Sequence, residues 1–218
     1  MLKEDVSDNQ KCGESLLRKY EKKYLNQLVL KMPKWLKSYH LTLLSIIWSL
    51  LVILFSCFAK ENIRWLWLVS FIILLQYFSD YFDGSIGRYR KEGLMKWGYY
   101  MDHFLDYVFL SSIFGGYFMI VDDPYKSYVF LFFIVLTGFM INSFLYFSVS
   151  KKFKYSYLKI GPTEGRFLVI IFNFLIVIYT KEVLENSIIY FLMFFIILLV
   201  CSVYKTHKEI WSLDMDSR

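Results

Sequence analysis

The sequence is poor in the residues that build zinc sites and disulfide frameworks. It has three cysteines and three histidines in 218 residues, and Cys12, Cys57 and Cys201 show neither metal-ligand spacing nor a framework pattern. We therefore expect no disulfide and no zinc. The charged N-terminus also lacks the short apolar core and small-residue cleavage site of a secretory signal, so we expect no signal peptide.

What the sequence does have is long apolar runs, in a chain that is 57% hydrophobic. Six runs are each near the length that crosses the hydrocarbon core of a bilayer, which predicts an all-α, polytopic bundle of six transmembrane helices. The runs are 41–59, 65–82, 98–121, 127–149, 166–180 and 187–204. This pattern divides the chain into an N-terminal segment, 1–40, a membrane domain, 41–204, and a C-terminal tail, 205–218.

The N-terminal segment contains one helical pattern, at residues 14–32. Apolar and aromatic residues recur there at every fourth position, and basic residues fill the opposite face (Leu16, Tyr20, Tyr24 and Leu28 against Arg18, Lys19, Lys22 and Lys23). The pattern predicts an amphipathic helix that lies in the membrane interface and ends at Pro33. An ordinary solvated helix is the alternative.

The basic residues predict the orientation of the bundle. Most of the 25 Lys and Arg residues lie in the N-terminal segment, in the connectors after the second and fourth runs, and near the C-terminus. The opposite side has only Lys60, Arg64, Lys126 and Lys181. Because basic loops stay cytoplasmic, we expect both termini in the cytoplasm. The net charge of +6 then indicates lipid head groups or a phosphorylated substrate as partners, and no nucleic acid.

Four aspartates stand out in this apolar chain. Asp80 and Asp83 are three residues apart, and Asp102 and Asp106 are four apart, so each pair lies on one helix face. The second run approaches the cytoplasm and the third leaves it, which places both pairs at one depth. Acids at membrane depth are costly, and they mark functional sites. Caps or ordinary ion pairs are the structural alternative.

Converging carboxylates repel one another unless a cation lies among them. The oxygen-only ligand set favours Mg²⁺ or Mn²⁺, with one or two ions. The residues in between suit a phosphate: Gly84, Gly87 and Gly98 leave space, and Arg88 can bind phosphate with two hydrogen bonds.

Phosphoryl transfer also needs a base for the attacking hydroxyl. Asp106 lies deepest in the membrane and is the best-placed candidate for a hydroxyl that arrives from the lipid side. His103 is the alternative base, although an ideal helix turns it about 100° from Asp102.

At these residues the chain resembles the CDP-alcohol phosphotransferase family, whose signature is D-x2-D-G-x2-A-R-x8-G-x3-D-x3-D. The four aspartates, Gly84, Arg88 and Gly98 stand in register with it. Two departures are visible: Gly87 replaces the alanine, and nine residues rather than eight separate Arg88 from Gly98.

The resemblance implies a reaction and a set of roles. A second alcohol attacks the β-phosphorus of a CDP-alcohol, and CMP leaves. Asp80, Asp83 and Asp102 are then metal ligands, and Asp106 is a ligand, the base or both. The glycines and Arg88 line the nucleotide and phosphate pocket. Family members are commonly homodimers, so the resemblance implies a homodimer here.

Two short segments resemble the choline/ethanolamine phosphotransferase branch of that family. They are Asp102-His103 and the G-P-T-E-G segment at 161–165. Glu164 is accordingly a candidate for contact with the alcohol head group, and Arg166 for contact with a phosphate. A helix start explains Glu164 equally well, since acids are favoured near helix N-termini. The compact chain suits a prokaryotic enzyme of the cell (inner) membrane.

Two other interpretations stay open from the sequence. The first is phosphatidyl transfer from CDP-diacylglycerol to a polar alcohol such as inositol phosphate, glycerol phosphate or serine. The second is a non-enzyme, either an ion-binding transporter or an inactive scaffold. Transporter sites usually lie near the midplane between repeats, whereas this chain shows no internal repeat and its acids lie toward one face.

Overall fold

The computed structural model describes residues 11–12, 25, 28–150, 153–154 and 162–216. Within them, the chain forms six long helices: α1 (Ser38–Ala59), α2 (Leu66–Arg90), α3 (Met95–Ile120), α4 (Asp123–Ser150), α5 (Pro162–Tyr179) and α6 (Glu182–Asp216). A 3₁₀ turn, Ile63–Trp65, precedes α2. Two-residue strands β1 (Lys11–Cys12) and β2 (Phe153–Lys154) pair in parallel. The architecture is helical, as predicted.

Five helices of the described chain are long and apolar enough to cross a membrane. They are α1, α2 with its preceding turn, α3, α4 and α6. The chain is therefore a multi-pass membrane protein. Helix α5 coincides with the predicted fifth span, 166–180, but it has 18 residues and its start carries Glu164 and Arg166. The six-span prediction is thus confirmed for five helices and stays a prediction for α5.

Two helices extend well beyond the apolar runs that predicted them. Helix α2 continues from the predicted end at residue 82 to Arg90, and α6 continues through the tail to Asp216. Hydropathy marks the length of an apolar run and not the end of a helix. The chain leaves α2 only at Lys91, whose φ is 55°, in the left-handed region that often terminates helices.

The predicted amphipathic helix at 14–32 lies largely outside the described residues. The segment that follows it is anchored by the last turn of α2. Arg90 donates hydrogen bonds to the carbonyl oxygens of Met32 at 2.9 Å, of Pro33 at 3.0 Å, and of Leu36. These bonds fix where the chain enters α1.

Helix α1 packs along both α2 and α3, α4 packs along α6, and α5 lies against α2. Close approach of α1 and α3 depends on a small residue. A Cβ atom at Gly116 would lie 2.3 Å from Ser56 Oγ and 2.9 Å from Ser56 Cβ. Small residues of this kind let membrane helices pack backbone to backbone.

A buried chain of hydrogen bonds ties α5 to α2 and α3. Tyr117 donates its hydroxyl to Asn173 Oδ1 at 2.6 Å, and Asn173 Nδ2 donates to Ser70 Oγ at 3.1 Å. Polar groups inside a membrane bundle are costly unless they are paired, so these bonds select one arrangement of the three helices. The site described next lies where the same three helices approach one end of the bundle.

Candidate functional site

Helices α2 and α3 bring their aspartates to the same level of the bundle. Asp80 lies ten residues before the end of α2, and Asp106 lies eleven residues after the start of α3. At 1.5 Å per residue, both are about 15 Å from the turn that joins the two helices. The prediction that both aspartate pairs lie at one depth agrees with these positions.

Three of the four carboxylates converge. Asp80, Asp102 and Asp106 each present an oxygen, and these three atoms lie within 4.8 Å of one another. The exposed fractions of the side chains are 23%, 38% and 28%, respectively. The cluster is therefore held inside the bundle but remains open on one side to a ligand.

The fourth aspartate turns toward a different helix. Asp83 is 7% exposed, and its Oδ2 accepts a hydrogen bond of 2.8 Å from Thr42 Oγ1 on α1. It remains close enough to interact electrostatically with Asp80 and Asp106. The predicted set of four acids is thus three converging carboxylates with a fourth beside them that is held by α1.

An arginine that the sequence analysis did not place in the cluster lies within it. Arg166, on α5, donates from Nη1 to Asp80 Oδ2 at 2.8 Å and from Nη2 to Asp106 Oδ1 at 2.7 Å. Its side chain is 10% exposed. One guanidinium therefore joins the carboxylates of α2 and α3 with charge-assisted bonds, which are stronger than neutral ones.

The position of Arg166 follows from the start of α5. Only four residues separate Pro162 from Arg166, whereas ten separate Asp80 from the end of α2. Since the side chains of Asp80 and Arg166 meet, α5 begins about 9 Å deeper in the bundle than α2 ends. The end of the bundle at which α2 ends and α5 begins, beside the carboxylates, is named the mouth of the site. The sequence signal was available: a lone arginine opens an apolar run on the basic side of the membrane.

The converging residues fit a hard divalent cation. The three carboxylates supply only oxygen ligands, which Mg²⁺ and Mn²⁺ prefer. Arg166 neutralises one of their three negative charges and uses one oxygen each of Asp80 and Asp106. An ion at this cluster would use the second oxygens of those two carboxylates together with Asp102. The remaining excess of negative charge favours that ion.

The glycines between the aspartate pairs have different surroundings. Among the described residues, a Cβ atom at Gly98 would meet nothing within 4 Å, so this side of α3 has space beside Asp102. A Cβ atom at Gly84 would lie 3.2 Å from Arg88 Nη1, and one at Gly87 would lie 3.4 Å from Ser38 Cβ on α1. Gly98 thus provides open space, whereas Gly87 accommodates the start of α1.

Arg88 and His103 differ in how firmly they are held. Arg88 is exposed, and its Nη2 donates a long bond of 3.4 Å to Ser85 Oγ. His103 Nδ1 lies 2.8 Å from the carbonyl oxygen of Tyr99 and 3.5 Å from Asp102 Oδ2. The imidazole is thus positioned by its own helix, and the nitrogen nearest the cluster is occupied as a donor to Tyr99.

Glu164 is not part of the carboxylate cluster. It lies half-buried in the first turn of α5, two residues before Arg166. Two residues correspond to about 200° of helical rotation, so the two side chains leave α5 on nearly opposite sides. A role for Glu164 in this site stays a prediction.

These features define a class: a multi-pass membrane protein with an acidic cluster, suited to a divalent cation, at one end of its helix bundle. A family model for CDP-alcohol phosphatidyltransferase matches residues 35–209. The chain belongs to that family, whose members are transferases of phospholipid synthesis that use a divalent metal. The match does not distinguish the choline/ethanolamine branch. No curated protein and no solved structure matches the chain.

Proposed function

We propose that this protein transfers a substituted phosphate group from a CDP-alcohol to an acceptor alcohol and releases CMP. The preferred substrates are CDP-choline or CDP-ethanolamine, with a diacylglycerol-like acceptor. The observation that carries the proposal is the convergence of Asp80, Asp102 and Asp106 oxygens within 4.8 Å in a chain of this family. The choice of donor rests on the Asp102-His103 pair and the 161–165 segment.

Asp80, Asp102 and Asp106 would hold Mg²⁺ or Mn²⁺, with Asp83 contributing from the adjacent turn. The ion supplies charge neutralisation for the pyrophosphate of the donor. Thr42 keeps Asp83 in place through its 2.8 Å hydrogen bond. Arg166 orients Asp80 and Asp106 toward each other, so the two helices present their carboxylates as one unit.

Asp106 is the proposed general base. Its carboxylate accepts the proton of the acceptor hydroxyl, and the hydroxyl oxygen forms a bond to the β-phosphorus of the donor. The bond between that phosphorus and the bridging oxygen breaks, and CMP leaves with the bridging oxygen. Asp106 lies one turn deeper in α3 than Asp102, which suits a hydroxyl that comes from the lipid side.

The remaining site residues are assigned to the donor and to the head group. Arg88 is exposed beside Gly84, where it can reach a phosphate that enters from the mouth. The open space at Gly98 accommodates the nucleotide and phosphates beside Asp102. Glu164 is assigned to the alcohol head group from the sequence pattern at 161–165, although its side chain leaves α5 on the side opposite to Arg166.

The membrane arrangement completes the proposal. Helix α5 is the fifth of six spans of a membrane domain at 41–204, and the mouth of the site and both termini face the cytoplasm, because that side carries most Lys and Arg. We place the enzyme in a prokaryotic cell (inner) membrane. The outer face of α6 exposes a row of apolar side chains for lipid or for a second copy in a homodimer (Tyr190, Phe194, Ile197, Val200 and Tyr204).

The test is CMP release by the purified protein in lipid vesicles, with Mg²⁺ or with a chelator. The donor panel contains CDP-choline and CDP-ethanolamine, each with diacylglycerol, and CDP-diacylglycerol with serine, glycerol phosphate or inositol phosphate. We expect Mg²⁺-dependent release with a CDP-choline or CDP-ethanolamine donor. CMP release from CDP-diacylglycerol only would overturn the preferred substrates. If no donor in the panel gave CMP, the proposed enzymatic activity would be wrong.

A further inference from the structure

Gln76 is a buried amide whose side chain makes no hydrogen bond of normal geometry within the described part of the chain. It lies on α2 at 0% exposure, and neither Nε2 nor Oε1 has a partner. Among the buried side-chain nitrogen and oxygen atoms that the structure describes, these two alone are unsatisfied. A buried polar group without a partner destabilises the folded state. Its presence therefore needs a reason.

The position of Gln76 points to the carboxylate cluster. It precedes Asp80 by four residues, which places both on one face of α2. Because α2 runs toward the mouth of the site, Gln76 lies about 6 Å deeper than Asp80, on the side of the membrane interior. Its amide lies beside the Asp106 carboxylate, outside the distance and angle of a normal hydrogen bond. Gln76 thus lies at the side of the cluster that faces the membrane interior.

A second buried amide nearby shows what a structural role looks like. Asn173 lies on α5, seven residues after Arg166, at the same three-helix interface. It accepts from Tyr117 at 2.6 Å and donates to Ser70 at 3.1 Å. The amide of Asn173, which holds the helices together, has its hydrogen bonds within the interface. The amide of Gln76, beneath the carboxylates, does not.

We propose that Gln76 binds the hydroxyl of the acceptor alcohol and aims it at the carboxylate of Asp106. This inference rests on the proposed function and names a further residue of that site. One N–H of the amide is directed at Asp106, and the other donates to the acceptor oxygen while the acceptor hydroxyl donates to Asp106. A neutral amide suits an uncharged hydroxyl, whereas Arg88 and a cation suit the anionic pyrophosphate.

The kinetic test compares wild type with Gln76→Met, which keeps the length of the side chain and removes its hydrogen bonds. We expect the KM for the acceptor to rise and kcat to fall, by about 10-fold in kcat/KM, as for one lost hydrogen bond of about 1.4 kcal/mol. The KM for the donor stays unchanged. The melting temperature in detergent is equal to or above that of wild type, since an unsatisfied amide has been removed.

Asn173→Leu is the matched control. It removes a satisfied amide from the same interface, so it lowers the melting temperature and leaves the acceptor KM unchanged. If Gln76→Met behaves like Asn173→Leu, its role is structural and the inference is wrong. Unchanged acceptor kinetics in Gln76→Met would overturn it equally.

A binding experiment separates this inference from the proposed reaction. Without donor, dioctanoylglycerol or glycerol 3-phosphate is added to wild type and to Gln76→Met, and the melting temperature is followed. We expect one alcohol to stabilise wild type and to lose its effect in the variant. That result would preserve the inference even if no donor released CMP. Equal stabilisation of both proteins, or stabilisation by neither alcohol, would overturn it.

Discussion

Acids and bases meet at both ends of the helix bundle, but they differ in exposure and in how many acids share one base. At the end near the α3–α4 turn, Lys181 lies 2.5 Å from Asp122, and the backbone N–H of Asp122 donates to Glu185 at 2.8 Å. Lys181 and Asp122 are both exposed, and their hydrogen bond raises the pKa of Lys181. At the other end, Arg166 bridges Asp80 and Asp106 inside the bundle, where Asp102 converges with them.

The difference separates a structural ion pair from a site. An exposed acid that is paired with a base contributes little to the stability of the fold, and its charge needs no further ligand. Partly buried acids in excess of their cation repel one another, so a bound cation or a proton must compensate them. The comparison therefore predicts large effects of substitution at the Arg166 end and small effects at the Lys181 end.

The largest effect is expected from removing the proposed base. Asp106→Asn preserves the shape of the side chain but cannot accept the proton, so kcat for CMP release falls by about 10²–10⁴-fold. The matched control is Asp123→Asn, an exposed acid at the other end. The comparison fails if both variants lose the same fraction of activity, or if Asp106→Asn retains wild-type activity.

Arg166→Gln tests whether the cluster needs the guanidinium that bridges Asp80 and Asp106. Without metal, the variant leaves Asp80 and Asp106 uncompensated, and we expect a loss of about 1–3 kcal/mol of unfolding free energy. Mg²⁺ should then raise the melting temperature of the variant more than that of wild type, because ligands that bind only the folded state stabilise it. Arg88→Gln is the control, since Arg88 is exposed. Equal metal-free melting of the two variants would contradict this prediction.

Two glycines of α3 give a smaller and opposite pair of effects. Gly116→Ala forces a Cβ against Ser56 and should cost about 1–3 kcal/mol of stability, with little change in the KM for the donor. Gly98→Ala meets no atom within 4 Å, so it should not destabilise the fold but should raise the donor KM. Thermal melting and steady-state kinetics on both variants measure the two effects. A loss of stability in Gly98→Ala would show that its space is not open.

The smallest effect is expected from Lys181→Ala. The variant removes an exposed ion pair with Asp122, which is the kind of contact that contributes little to stability. CMP release should equal that of wild type, and the melting temperature should change only slightly. A large loss of activity would show that the two ends of the bundle are coupled.

The carboxylates could be predicted from the sequence because two local properties identify them: their spacing along a helix and their place within apolar runs. Asp102 and Asp106 lie one helical turn apart whatever the helices do later, and apolar runs locate the membrane. The residues that bind these carboxylates could not be predicted in the same way, because tertiary packing brings them there. Thr42 holds Asp83 because α1 packs on α2, and Arg166 reaches Asp80 because α5 starts deep. Gln76 stood inside an apolar run, where only burial without a partner distinguishes it.

The most direct test of the acidic cluster is binding of Mn²⁺ to the purified protein, followed by the electron paramagnetic resonance signal of the free ion. The account predicts saturable binding to wild type and to Lys181→Ala, and its loss in Asp102→Asn. Binding that is unchanged in Asp102→Asn, or absent from wild type, would contradict the assignment of this cluster as a divalent metal centre.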